Sequence, residues 1–178
     1  MSKKIYSVLA LALASCGSNE AAKTPTDQIT FNDFEAVDGW STSVPVPSLT
    51  KEKARSGTYS IRVAPGCEYS IGYTNPLGKL SATRLKKITV AGWVWLPSKD
   101  AKAKLVVTFD NVNPDKNLKY DALDLAPTAN KFGSWVEVTK TIDVPIEASY
   151  NTQLKVYLWR ADSSQPVYLD DLEIKKAE

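Results

Sequence analysis

From residue 28 onward the chain alternates apolar and polar side chains with a period of two, and no segment sustains the 3.6-residue period of an amphipathic helix. In Lys87–Leu96, Ile88, Val90, Val94 and Leu96 fall on one face and Thr89, Ala91, Trp93 and Trp95 on the other. Lys104–Phe109 sets Leu105, Val107 and Phe109 against Val106 and Thr108. Val136–Val144 sets Val136, Val138, Ile142 and Val144 against Glu137, Thr139, Thr141 and Asp143. Gln153–Arg160 sets Leu154, Val156 and Leu158 against Lys155, Tyr157 and Trp159. Shorter strands are expected at Ile29–Phe34, Tyr59–Val63, Tyr69–Tyr73, Tyr120–Leu125 and Val167–Ile174. Turn-forming residues separate them, at Val44–Ser48, Ser56-Gly57, Asn75-Pro76, Asn111–Asn117, Lys131–Ser134 and Ala161–Pro166. About nine strands with turns between them predict an all-β antiparallel sandwich or barrel. In the last strand Val167, Leu169 and Asp171 are in phase, yet Leu172 and Ile174 are apolar in the opposite phase. That slip predicts a β-bulge at Asp170-Asp171.

The first fifteen residues read differently. Lys3 and Lys4 precede an apolar run, Ile5–Ala14, that is too short to cross a ~30 Å hydrocarbon core and fits an export signal. Leu13-Ala14-Ser15-Cys16-Gly17 follows and resembles a bacterial lipobox. The resemblance implies cleavage before Cys16, diacylglycerol on its sulfur and acylation, for example by palmitate, of its new amine. Gly17 after the cysteine, rather than Asp, points to the outer membrane by the same resemblance. Residues 16–27 are small and polar and read as a tether, leaving 28–178 as one domain.

Composition then narrows the chemistry. The 178 residues contain no histidine and two cysteines. Serine–histidine–aspartate catalysis, histidine-ligated zinc and a disulfide framework are therefore excluded. With Cys16 acylated, Cys67 has no partner. Net charge is +2, and loss of Lys3 and Lys4 leaves 20 basic against 20 acidic residues, with no basic block for nucleic acid. Asp33/Glu35 and Asp121/Asp124 are carboxylate pairs of an ordinary kind, and no GxSxG, P-loop, GxGxxG or HExxH motif occurs. The reading is a protein without catalytic activity.

Several motifs stand in a telling order. Phe31-Asn32-Asp33-Phe34-Glu35 and Gly39-Trp40 open the domain, and Ala54–Val63 (ARSGTYSIRV) follows. Then come the Trp93 strand, Trp135-Val136-Glu137-Val138 and the closing Val167–Ile174 (VYLDDLEI). This set resembles the β-jelly-roll carbohydrate-binding modules of the family 4/9/22 group, within the galactose-binding-like fold. The resemblance implies a structural Ca2+ held by Glu35, Asp171 and carbonyls near the Ser56-Gly57 turn. On the residues alone, a carboxylate turned inward by the bulge must meet a cation, which a lysine or arginine would also supply; the other reading is two solvated surface acids.

Trp93, Trp95, Tyr157 and Trp159 all occupy the phase opposite the aliphatic core positions. Flat indole faces stack on pyranose C–H faces, so these four form a candidate glycan platform, with Lys155, Arg160, Asp110 and Asn111 as hydrogen-bonding partners and Tyr69 and Tyr73 as further rings. The other reading is that the phase is inverted, or that a loop covers them as a second small core. Trp40 and Tyr59 read as structural. The expected function is non-catalytic polysaccharide binding by a membrane-anchored lipoprotein. A structural or adaptor lipoprotein docking a protein partner is the alternative.

Overall fold

The computed structural model describes residues 27–41 and 45–178. Cys16, the export signal and residues 16–26 of the tether lie outside the described residues. Asp27 already belongs to the fold, because its carbonyl accepts the Lys176 N–H at 2.7 Å.

Among the described residues ten strands and two short helices follow in chain order: β1 Gln28–Asn32, β2 Leu49–Thr50, β3 Ser60–Val63, β4 Tyr69–Pro76, α1 Leu77–Leu80, β5 Lys87–Trp95, β6 Lys104–Val112, β7 Asp115–Asp124, α2 Leu125–Ala129, β8 Trp135–Asp143, β9 Gln153–Trp159 and β10 Val167–Ala177. All pairings are antiparallel. One sheet has the order β2-β3-β10-β5-β8, with β1 also on β10; the other has the order β4-β9-β6-β7. The expected jelly-roll sandwich is thus observed.

The alternation decides which side chains fill the space between the sheets. Ile88, Val90, Val94 and Leu96 face inward from the first sheet. Leu105, Val107 and Phe109 with Leu154, Val156 and Leu158 face them from the second, all in one core cluster. Burying such a Leu, Ile or Phe side chain contributes about 1.5–3 kcal/mol. Lys140 of edge strand β8 pairs with Asp121 of edge strand β7 and ties the open sides of the two sheets together.

The predicted bulge lies in β10. Asp170 pairs with Trp93 but Glu173 with Ala91, so β10 spends one residue more than β5. Asp171 takes the extra place at φ +47°, a left-handed conformation that Asp tolerates better than most side chains. The bulge also divides one edge of β10. Val167–Leu169 pair with β3, whereas Leu172–Lys175 pair with β1. Between those two neighbours the edge at Asp170-Asp171 is left to side chains and to the 53–59 segment.

Candidate functional site

Cross-strand partners share a face, so the register places the outward side chains. On the four-stranded sheet, Tyr69, Trp159, Lys104 and Asp124 form one row across β4, β9, β6 and β7. Gly72, Tyr157, Val106 and Ala122 form the next row, and Thr74, Lys155, Thr108 and Tyr120 the third. At ~4.8 Å per strand and ~3.3 Å per residue, the platform is roughly 14 Å wide and 13 Å long.

Three rings cluster at one end. Tyr69 lies nearly parallel to Trp159, with centroids 6.4 Å apart and an interplanar angle of 17°, and edge-on to Tyr157 at 5.9 Å. The indole is held in its plane. Its N–H donates to Glu68 at 2.8 Å, and Glu68 accepts Arg160 Nε at 2.6 Å. The Arg160 bond holds the Glu68 carboxyl below its usual range. A bulge at the start of β4 brings Tyr69 to this place. Ser70 Oγ fills the gap in the ladder by accepting the Leu158 N–H at 3.0 Å. Gly72 keeps the space beside Tyr157, because a Cβ there would stand 2.6 Å from the Val156 carbonyl and 2.8 Å from Tyr157 Cβ.

Polar groups occupy the rest of the face. Asp110 accepts Thr108 Oγ1 at 2.7 Å and Asn117 Nδ2 at 2.7 Å, and pairs with Lys155 at 3.1 Å. Burial raises its pKa, but these bonds outweigh burial and leave it below the usual value. Burial, then the Tyr120 and Tyr69 phenols and Asp110, raises Tyr157. Lys104 pairs with Asp124 at 3.0 Å. Of the rings on this face Tyr69 and Tyr120 are the most open, at 57% and 52% exposed. Such a surface offers one ring cluster and the separate Tyr120 ring, with hydrogen-bonding groups between them.

The four aromatics expected to form one platform are divided between the two sheets. Tyr157 and Trp159 lie on β9 of the four-stranded sheet, whereas Trp93 and Trp95 lie on β5 of the other. Period-two alternation tells inside from outside but not which sheet an outside residue belongs to. Trp93 and Trp95 are also covered from within the chain. Lys53 Nζ sits 3.9 Å above the Trp95 ring and the Arg55 guanidinium 4.2 Å above Trp93, while Tyr168 meets Trp95 edge-on at 5.7 Å. Both rings are half-buried, as Tyr157 and Trp159 also are, and what lies over them is two cationic side chains and Tyr168. Tyr73 is buried in the core against Trp40, and the Asn111 side chain is engaged by the Thr152 hydroxyl at 2.7 Å. Tyr59 is half-buried under Lys51 rather than part of the core. Tyr120 joins the platform without having been expected there.

The corner assigned to calcium is built from donors. Thr58 and Tyr59 each donate a backbone N–H to Glu35 Oε1 at 2.6 Å. Asp170 Oδ2 accepts the N–H groups of Arg55 and Ser56 at 2.7 and 3.2 Å, and its Oδ1 accepts the Asp171 N–H at 2.8 Å. Burial nonetheless pushes Asp170 up to about 6. Asp171 accepts the Ser56 hydroxyl at 2.7 Å and Arg55 Nη1 at 2.8 Å. Among the described residues no three His, Cys, Asp or Glu side chains converge as metal ligands. Ca2+ takes six to eight oxygens, and this turn aims N–H groups, a hydroxyl and a guanidinium where the resemblance implied carbonyls. These residues do not fit the ion. Cys67 is half-buried, with its thiol pKa raised by burial.

No protein-family model and no curated protein sequence matches the chain. Solved structures share its fold. The family 22 carbohydrate-binding and glycoside hydrolase 10 modules of Clostridium thermocellum xylanase 10B, complexed with xylohexaose, align at 18% identity and TM-score 0.56 over 85% of this chain; the chain spans 29% of that one. The first family 22 xylan-binding domain of Paenibacillus barcinonensis Xyn10C aligns at 20% identity and TM-score 0.53, over 85% of this chain and 97% of that one. A family 16 carbohydrate-binding module aligns at 14% identity and TM-score 0.54, over 80% and 94%. The domain therefore has the β-sandwich fold of the carbohydrate-binding modules.

Proposed function

We propose that the domain binds a polysaccharide without cleaving it, on the outer face of the β4-β9-β6-β7 sheet. The observation that carries this reading is the Tyr69–Tyr157–Trp159 cluster, its indole fixed by Glu68 and set beside the Lys104–Asp124 and Lys155–Asp110 pairs. A small ring cluster bordered by charged and hydroxyl side chains suits a sugar chain. A protein partner would instead favour a contiguous apolar patch. The xylan-binding neighbours make xylan the first ligand to test. Affinity electrophoresis through gels containing xylan, mixed-linkage β-glucan or no polysaccharide provides the test. Unretarded migration in every gel, together with no hit on a glycan array, would refute the proposal.

The polar partners give a pH expectation. Asp110 and Glu68 are held below the usual carboxylate range and Tyr157 above the usual phenol value. Between about pH 6 and 9 all three keep one protonation state. Retention by the polysaccharide should stay level across that window. A steep decline inside it would assign recognition to another group.

Cys16, at the end of the apolar run, is proposed as the lipid anchor that holds the module at the outer membrane. Acyl chains contribute about 0.8 kcal/mol per buried CH2, enough for a durable attachment with two or more chains. Native protein should partition into the detergent phase, and Cys16→Ser should release it or stop processing. A Cys16→Ser protein that stays membrane-bound with unchanged mobility would remove the anchor from the proposal.

A further inference from the structure

The gap on the edge of β10, where β3 gives way to β1, leaves Asp170 and Asp171 without a strand neighbour on that side. Glu35 approaches from the end of β1, so three carboxylates meet one turn. In a sandwich of this kind the resemblance implies a calcium ion. We propose that here Arg55 and the 55–59 turn serve in place of the ion, so that the corner is complete without any divalent metal.

The turn leaves no room for a cation between itself and Glu35. Gly57 stands at φ +56°, and a Cβ on it would lie 2.4 Å from Glu35 Oε1. The carboxylate packs directly on the turn, and the Thr58 and Tyr59 N–H groups reach it at 2.6 Å. Asp170 is fully buried and has three backbone donors. Asp171 is 7% exposed and needs a positive charge, which Arg55 supplies at 2.8 Å.

Arg55 has a second task that an ion could not perform. Its guanidinium also covers the face of Trp93 at 4.2 Å, and Trp93 is the register partner of Asp170. A planar cation can hydrogen-bond a carboxylate through its edge and stack on an indole through its face, whereas a lysine ammonium is a point charge. One residue thus takes the role expected of calcium and occupies an indole face expected to bind sugar. The inference does not depend on glycan binding.

Thermal melting of the purified chain in EDTA and in millimolar Ca2+, with metal analysis of the same preparation, tests it. The melting temperature should be the same in both, with far less than one calcium per chain. Arg55→Met should melt several degrees lower in either buffer and open Trp93 to acrylamide quenching, with Arg55→Lys recovering only part of the loss. A wild-type melting temperature that falls in EDTA and returns with Ca2+, or one calcium per chain, would overturn the proposal, as would Arg55→Met melting and quenching like wild type. Should Arg55→Met fail to fold, the two wild-type measurements still decide.

Discussion

Trp159→Ala should weaken polysaccharide retention by roughly 5- to 150-fold while the chain melts close to wild type. The range corresponds to about 1–3 kcal/mol for one aromatic stacking platform, taken from base–aromatic stacking. The stability expectation follows from where the ring sits. Leu154, Val156 and Leu158 of the same strand carry the core contacts on the opposite face, and Glu68 keeps Arg160 when the indole is gone. Trp95→Ala is the matched control. It removes a ring packed under Lys53 and against Tyr168 on the other sheet, so it should lower the melting temperature and leave retention intact. Affinity electrophoresis and melting on the same two proteins separate the cases. Retention lost in Trp95→Ala and kept in Trp159→Ala would move the platform to the wrong side of the sandwich.

The exchange between those two tryptophans shows what the amino-acid sequence could convey. Inside and outside were legible strand by strand: Ile88, Val90, Leu105, Val107, Leu154 and Val156 were all expected inward and are all buried. The slip at Asp170-Asp171 was legible too, because Leu172 and Ile174 would otherwise face solvent. Sheet membership was not. It depends on pairing between segments far apart in the chain, such as β5 with β10 and β4 with β9, and alternation carries no trace of the partner. The cover over Trp93 and Trp95 was hidden for a related reason. Lys53 and Arg55 precede their rings by about forty residues and sit in a segment without period. Tyr120 opens an expected strand, but its place on the platform comes from the pairing of β7 with β6, which alternation does not reveal; β6 and β7 also extend as a paired hairpin through most of the Asn, Pro and Asp stretch that reads as a turn. The two-residue β2 and the two short helices are too brief to leave a periodic signature.

Asp170→Ala should be the most destabilising of the corner substitutions. Asp170 is fully buried, and its two oxygens accept three backbone N–H groups, from Arg55, Ser56 and Asp171. Alanine leaves those donors unpaired where water has little access. At about 1–3 kcal/mol for each unsatisfied buried group, with partial relaxation of the turn, the loss is on the order of 3–5 kcal/mol. For a chain of this size that is roughly a 10 °C fall in melting temperature. Asp171→Asn should cost much less. Asparagine tolerates the left-handed φ of +47° and still accepts the Ser56 hydroxyl. The guanidinium it releases is 39% exposed and can turn to water. Melting both variants ranks the two contributions. Asp171→Asn falling as far as Asp170→Ala would mean that the ion pair with Arg55, rather than backbone satisfaction by Asp170, holds the edge of β10 where β3 gives way to β1.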